Sequence, residues 1–208
     1  MNHPVQGAPI IISGPSGVGK GTVIQRLLTQ RTDLVASISM TTRPPRPGEQ
    51  EGVHYFFVTR EEFESHIQAG AMLEWAKVYE NYYGTPKPFL EIQFAAGRDV
   101  IIEIDVQGAA SARMHYPDGL FIYILPPSIE TLKERLFSRA KGEGDQLEQR
   151  LALATHEFQF LGMYDYVVIN DDLATAVQEV ETIILADRLR RRRQAGRLRE
   201  LGFFSSLS

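Results

Sequence analysis

A glycine-rich segment near the start of the chain has the residue types and spacing of a phosphate-binding loop. It follows the apolar run Ile10-Ile11-Ile12 and reads Gly14-Pro15-Ser16-Gly17-Val18-Gly19-Lys20-Gly21-Thr22. In such a loop the backbone N–H groups and the start of the next helix face a phosphate, and the lysine reaches the outer phosphates. Glycines are needed because a Cβ would block the close approach of the backbone. The segment predicts a nucleoside triphosphate site, and the competing interpretation is an ordinary glycine-rich turn before a helix.

A second group of residues indicates which nucleotide chemistry is involved. It comprises Ser39-Met40-Thr41-Thr42-Arg43-Pro44-Pro45-Arg46-Pro47-Gly48-Glu49, then Gly52, Tyr55, Phe56, Glu74-Trp75-Ala76 and Asn81-Tyr82-Tyr83-Gly84-Thr85. Further members are Ile102-Glu103-Ile104-Asp105-Val106-Gln107-Gly108, Pro126-Pro127-Ser128, Arg135, Arg139, Arg150 and Val168-Ile169-Asn170-Asp171. In this order, and together with the loop, these residues resemble the guanylate kinase family from about residue 10 to about residue 186.

The resemblance implies transfer of the γ-phosphoryl group of ATP to GMP, with Mg²⁺ as cofactor. Such a transfer depends on positioning and on charge neutralisation more than on covalent chemistry. The implied catalytic residues are Lys20, Arg43, Arg139 and Arg150. The implied ATP-binding residues are Gly14, Pro15, Ser16, Gly17, Val18, Gly19, Lys20, Gly21, Thr22, Arg135 and Asn170, the last beside the adenine.

The acceptor site implied by the resemblance divides into a phosphate end and a base end. Arg43, Arg46, Tyr55 and Tyr83 would bind the phosphate of GMP, since guanidinium forks match phosphate geometry. At the base end, Glu74 would accept from the two adjacent donors of guanine, N1–H and the 2-amino group, with hydroxyl contacts from Ser39 and Thr85. Asp105 would lie near the acceptor. Taken singly, Arg43 and Glu74 are each more typical of an exposed surface residue than of a binding site.

Two acidic residues end an apolar strand and are the implied metal site. Glu103 and Asp105 are two residues apart, so strand alternation places both on one side, where they would orient Mg²⁺ through water. The loop itself departs from the usual pattern, because Gly21 stands where Ser or Thr normally follows the lysine. Thr22 is therefore a doubtful metal ligand, since one helical position rotates its hydroxyl by about 100°. Adenylate kinases share this Gly-Lys-Gly-Thr ending, so the variant is compatible with activity.

Two functions of another class stay open at this point. Some relatives are scaffold domains that bind phosphorylated peptides, but those typically lose the loop glycines and the lysine that this chain keeps. The other alternative is a kinase for a different acceptor, such as a sugar phosphate, and the set of Glu74, Ser39 and Thr85 argues against it.

Composition limits the class of protein further. The 208 residues carry a net charge of −4 and contain no cysteine, which excludes disulfides and thiol chemistry. No run reaches the roughly 18 apolar residues of a membrane span, and the first residues lack the features of a signal peptide. We expect a cytoplasmic protein, or an organellar one after processing, that binds ATP and GMP as small-molecule partners and neither DNA nor a membrane. An oligomer is compatible with the sequence.

Apolar runs that alternate with helical patterns predict an α/β fold, a parallel-sheet P-loop kinase core between helical layers. The predicted strands are 10–13, 100–104, 121–125 and 166–169, and the predicted helices are 20–30, 59–70, about 87–96, 128–136 and 173 to about 193. Thr59 begins a capping box, and Thr85 is the expected N-cap of the third helix with Pro86 at its first position. The expected division is a kinase domain over 8–189, with a GMP-binding insert at about 39–97 and a mobile lid at about 138–152.

The remaining segment, 190–208, is predicted to be a basic C-terminal tail. Residues 187–208 hold seven arginines and carry +5, which leaves −9 on the first 186 residues. A flexible, solvated helix end is the favoured interpretation, and the alternative is a site for nucleic acid, an anionic membrane or a partner subunit. On the favoured interpretation, deletion after Leu189 leaves GMP kinase activity intact.

Overall fold

The structure is a computed structural model that describes residues 6–140 and 144–203, except for the side chains at 139–140 and 144–147. Nine strands are described: β1 Pro9–Ser13, β2 Leu34–Ala36, β3 Met40–Thr41, β4 Phe56–Phe57, β5 Met72–Val78, β6 Asn81–Pro86, β7 Asp99–Glu103, β8 Leu120–Leu125 and β9 Tyr166–Ile169. The described α-helices are α1 Lys20–Gln30, α2 Arg60–Gln68, α3 Lys87–Ala95, α4 Val106–His115, α5 Ile129–Ala140, α6 Gly144–Glu157, α7 Leu173–Arg188 and α8 Ala195–Glu200. A 3₁₀ turn covers Phe158–Met163.

The main sheet has five parallel strands in the order β2-β7-β1-β8-β9. Its central strand is apolar throughout, because successive side chains point to opposite faces and both faces are covered. Ile10 and Ile12 pack with α1 and α7 on one face, and Ile11 packs with α3 and α4 on the other. The predicted parallel sheet between helical layers is confirmed.

The chain forms a smaller mixed sheet after β2 and before α3, within the range predicted as an insert. Its strand order is β4-β3-β6-β5, and its own core combines Met40, Phe63 and Met72 with α2. Gly84 allows β5 and β6 to approach, since a Cβ there would lie 2.5 Å from the carbonyl oxygen of Glu74. The insert is thus a small packed unit attached to the main sheet.

Most of the predicted helix signals are present, and one is misplaced. Thr59 and Glu62 form the predicted capping box, and Ser128 caps the start of α5. The predicted N-cap Thr85 is wrong: α3 is capped at Pro86, and Thr85 is a residue of β6. The physical reason is that the Thr85 hydroxyl bonds to a side chain on the neighbouring strand rather than to the helix.

The predicted lid coincides with a helical hairpin. Helices α5 and α6 pack through Leu132, Leu136 and Ala154. Residues 141–143 and the side chain of Arg139, both part of the predicted lid, lie outside the described residues. The mobility of this hairpin stays a prediction.

The end of the chain differs from the expected solvated helix. Helix α7 ends at Arg188 rather than near Arg193, a turn follows, and α8 comes after it. Arg193 is only 8% exposed. It bonds to the buried carboxylates of Asp99 and Asp187 and to the backbone of Gln6. As far as the structure describes this segment, buried charge pairs hold it to the core.

Candidate active site

The glycine-rich loop lies where the sequence predicts it, between the end of β1 and the start of α1. Gly14, Gly17 and Gly19 all have positive φ, at 149°, 85° and 98°. A Cβ on Gly14 would lie 2.3 Å from the carbonyl oxygen of Ile124. Both the backbone conformation and the space therefore require glycine at this end of the loop.

Lys20 opens α1 and folds back over the loop. Its Nζ donates to the carbonyl oxygens of Gly14 at 2.5 Å and Pro15 at 3.2 Å. A cavity of about 370 Å³ beside it is lined by Ser16, Gly17, Gly19, Lys20, Gly21, Thr22 and Glu103. The loop, the lysine and the strand-end acid thus share one anion-sized cavity.

A second cavity adjoins the loop and reaches the other acid. It measures about 390 Å³ and is lined by Gly14, Ser16, Lys20, Glu103, Ile104, Asp105 and Glu157. Asp105 is the N-cap of α4, and its Oδ1 accepts from the Gly108 N–H at 2.8 Å. The structure brings Glu103 and Asp105 to the same cavity, but not by strand alternation: β7 ends at Glu103, and one oxygen of Asp105 caps α4.

Glu157 is a site residue that the sequence argument missed. It ends α6, and its Oε2 lies 3.5 Å from the Tyr123 hydroxyl. Burial is the main cause of its raised pKa; the charge of Asp105 adds to it and that of Lys20 opposes it. No local motif marks this glutamate, because its neighbours in the cavity are more than 50 positions earlier in the chain. Only the packing of α6 against the sheet reveals it.

Glu74 and Thr85 meet across the β5–β6 hairpin of the insert. They are register partners, and the Thr85 hydroxyl donates to Glu74 Oε1 at 2.6 Å. Burial, reinforced by the charge of Asp105, raises the pKa of Glu74, and the Thr85 bond offsets part of that shift. Ser39 directly precedes β3, the other neighbour of β6. Glu74 and Thr85 therefore lie on adjacent strands, and Ser39 lies just before the strand on the other side of β6.

Arg43 is held in place by a partner that the sequence argument did not name. Its two terminal nitrogens donate to both oxygens of Glu49 at 2.8 and 2.9 Å. The hydrogen-bonded guanidinium lowers the pKa of Glu49 to about 2, and Glu49 in turn raises the pKa of Arg43. Arg43 also stacks over Tyr55, with its Cζ 5.3 Å from the ring centroid.

The other residues predicted at the phosphate end surround Arg43 unequally. The ring centroids of Tyr55 and Tyr83 are 6.1 Å apart. The Arg46 side chain is exposed, while its backbone N–H donates to Glu49 Oε2 at 2.7 Å. Three of the four predicted ligands thus form one cluster, and Arg46 borders it through the shared Glu49.

Arg135 and Asn170 both contact the phosphate-binding loop, at the carbonyl oxygen of Val18. They line a cavity of about 250 Å³ together with Gly17, Gly19, Thr22, Ser138, Asp171 and Leu173. Asn170 is 6% exposed, and its Nδ2 donates to the carbonyl oxygen of Val18 at 2.7 Å. Of the lid arginines, Arg150 belongs to α6, and the side chain of Arg139 is outside the described part of the chain.

The acidic residues of the cleft suit Mg²⁺ only when the phosphate oxygens of a nucleotide supply further ligands. Among the described residues, no group of three or more His, Cys, Asp or Glu side chains is arranged to hold a metal ion. Mg²⁺ in kinases keeps several waters and uses one or two carboxylates plus substrate phosphates. Glu103 in the loop cavity suits that mode, and Thr22 lines the same cavity.

Within residues 6–140 and 144–203, no helix is both long enough and apolar enough to cross a bilayer. The cytoplasmic location stays a prediction.

Comparisons with known proteins, by sequence and by structure, each find the same family. A guanylate kinase from Caldanaerobacter subterraneus subsp. tengcongensis is 48% identical over 91% of this chain and 92% of its own length. One from Bacillus subtilis is 46% identical over 94% of this chain and 97% of its own. The crystal structure of guanylate kinase from Anaplasma phagocytophilum superposes with a TM-score of 0.72 at 34% identity, covering 95% of this chain and 94% of that one. The sequence model of guanylate kinases matches residues 6–187, and the chain therefore belongs to the guanylate kinase family.

Proposed function

We propose that this protein transfers the γ-phosphoryl group of ATP to GMP, with Mg²⁺ bound through the phosphates. The observation that carries the proposal is the place of Asp105. It lines the cavity of the phosphate-binding loop and accepts from the N–H of Gly108, where a Cβ would lie 3.4 Å from Cγ of Glu74, the expected reader of the acceptor base. Donor and acceptor sites therefore adjoin at one carboxylate, as in-line transfer requires.

The donor half of the proposal rests on the loop. Backbone N–H groups of the loop and the Lys20 ammonium bind the β- and γ-phosphates. Lys20 donates to the carbonyl oxygens of Gly14 and Pro15, so its ammonium lies at the loop. Mg²⁺ neutralises phosphate charge, with Glu103, Asp105 and Thr22 as the residues that would hold it or its waters. Arg139 and Arg150 of the lid complete the neutralisation when the lid closes.

The acceptor half rests on two clusters of the insert. Arg43, with Arg46, Tyr55 and Tyr83, binds the phosphate of GMP. Glu74 accepts from guanine N1–H and the 2-amino group, and Thr85 and Ser39 provide hydroxyl contacts. The Glu74–Thr85 bond orients the carboxylate before the base arrives. A buried carboxylate left unpaired by adenine is costly, and this cost favours guanine.

An acceptor comparison tests this function. Turnover with ATP is measured for GMP, dGMP, AMP and a sugar phosphate, and for a Lys20→Ala variant checked for folding by circular dichroism. We expect phosphorylation of GMP well above AMP and loss of most activity in Lys20→Ala. Lys77→Ala, on the exposed part of β5, is the matched control and is expected to keep wild-type turnover. A folded Lys20→Ala variant at near wild-type turnover would contradict the kinase, and a preference for another acceptor would contradict the GMP site.

A further inference from the structure

The carbonyl oxygen of Val18, in the middle of the phosphate-binding loop, is held by two side chains from different elements. Asn170 Nδ2 donates to it at 2.7 Å, and Arg135 Nη1 donates at 3.3 Å. Arg135 Nη2 also donates to the carbonyl oxygen of Asn170 at 3.1 Å. Asn170 follows β9 and Arg135 belongs to α5, so three distant segments meet at one peptide group.

This contact fixes the direction of the Gly19 N–H group. A trans peptide is planar, with its C=O and N–H pointing in opposite directions. When Asn170 holds the Val18 C=O on its side of the loop, the Gly19 N–H is turned to the other side. Gly19 forms one side of this peptide with positive φ, so the backbone on that side has little steric restraint of its own. The loop orientation therefore needs an external partner.

Asn170 is built as a rigid partner. Its backbone N–H donates to the Leu125 carbonyl oxygen at 2.8 Å, which fixes it at the end of the main sheet. Its side chain is packed so closely on the loop that a Cβ at Gly19 would lie 2.5 Å from Asn170 Nδ2. The side-chain amide of Asn170 donates to the loop, and protein contacts alone hold Asn170 in this position.

We propose that Asn170 is a positioning residue for phosphoryl transfer: it orients the Val18–Gly19 peptide so that the Gly19 N–H faces the phosphates of the donor. Arg135 adds a second bond to the same carbonyl oxygen and links the lid helix α5 to the loop. The inference rests on the proposed function, and it differs from a contact with adenine because it acts on phosphate binding whatever the base.

The first measurement needs no nucleotide. The backbone ¹⁵N order parameter of Gly19 is compared in wild type, Asn170→Ala and the control Thr175→Ala, which removes a side-chain bond to Asp172 at the start of α7 but leaves Val18 untouched. We expect a rigid value of about 0.85 in wild type and the control, and a fall toward about 0.6 in Asn170→Ala. An unchanged Gly19 order parameter in Asn170→Ala would overturn the proposal.

The second measurement separates the phosphates from the base. Dissociation constants for ATP and for inorganic tripolyphosphate are compared in wild type, Asn170→Ala and Asn170→Asp. Loss of one hydrogen bond predicts about 3- to 10-fold weaker binding of both ligands by Asn170→Ala. Asn170→Asp should be weaker still, because it places an oxygen against the carbonyl oxygen. If ATP binding weakens while tripolyphosphate binding does not change, Asn170 reads the base and the proposal fails.

The two hypotheses fail in different ways. A wild-type protein that does not phosphorylate GMP contradicts the proposed function. A wild-type protein that does so, with Asn170→Ala equal to it in Gly19 order and phosphate affinity, contradicts the positioning role alone.

Discussion

Two carboxylates in the cleft are kept in surroundings that disfavour their charge. Burial is the main cause of the raised pKa of both Glu74 and Glu157, and the Asp105 charge adds to each shift. A group with a raised pKa in the folded state stabilises the fold at low pH, and this stabilisation is lost as the pH rises through the folded pKa. The cleft therefore lowers the stability of the free protein near neutral pH, as expected where a site is organised for a ligand.

Glu74→Gln should reveal this cost as a pH-dependent gain in stability. Near pH 4 the carboxyl is largely neutral in both folded and unfolded states, so wild type and variant should melt at similar temperatures. As the pH rises to 7, wild type must bury a charge and the variant need not, so the Tm difference should grow in favour of Glu74→Gln. The test is thermal melting at pH 4, 5, 6 and 7 without nucleotide. A Tm difference that does not change with pH would show that the Glu74 charge is well solvated.

The same variant should weaken the preference for guanine. Gln presents one donor toward a base edge that itself donates, so we expect kcat/KM for GMP to fall by about 30-fold or more. Adenine gains relatively, since its N1 accepts and its 6-amino group donates. The measurement is kcat/KM for GMP and AMP, with Glu80→Gln on the exposed β5–β6 turn as the control. An unchanged AMP:GMP ratio would place base recognition elsewhere.

At the scale of elements, the sequence was most informative where burial alone decides the structure. The strand predicted at 10–13 is the fully buried β1, which begins one residue earlier, and the strand predicted at 100–104 is β7 shifted by one residue. Thr85 was misassigned because its hydroxyl has a partner on another strand, which no local pattern records. Glu49 and Glu157 were missed as site residues for a related reason: Glu49 ends the segment from Ser39, but only the fold shows its bonds to Arg43, and only the fold brings Glu157 to Lys20.

The first turn of α1 offers a test of the unusual loop ending. A Cβ at Gly21 would meet no atom within 4 Å, so a side chain fits there. Gly21→Ala should raise the free energy of unfolding by about 0.5–1 kcal/mol, because glycine in a helix is costly. Gly21→Ser restores the usual hydroxyl beside the loop cavity, and the Mg²⁺ concentration for half-maximal activity should fall. Denaturant unfolding and Mg²⁺ titration measure the two effects. A large loss of activity in Gly21→Ser would show that the glycine itself is required.

At the scale of the whole molecule, the acidic body and the basic end of the chain neutralise each other at a few buried positions. Asp99 begins β7 and is completely buried. It accepts from Arg188, Arg193 and the Ala8 N–H. Asp187, also buried, pairs with Arg193 and Arg190. The first residues of the described chain, the start of β7 and the segment after α7 are thus joined in one network. Composition alone suggested a free tail because it records the charge of the arginines but not their buried partners.

Deletion after Leu189 should therefore reduce stability while leaving the chemistry in place. The described residues that line the three cavities of the site all precede Leu189, so kcat per folded molecule should be unchanged at low temperature. Removing one partner of a buried ion pair costs about 3–5 kcal/mol, which corresponds to a drop in Tm of about 6–20 °C for a chain of this size. Arg193→Met should reproduce much of this loss, whereas Arg191→Met, at an exposed position of the same run, should not. Deletion after Gly202 keeps the network and is the control for shortening the chain. If deletion after Leu189 melted like the full chain, the ion pairs would contribute nothing to stability and the end of the chain would be an appendage, as its composition first suggested.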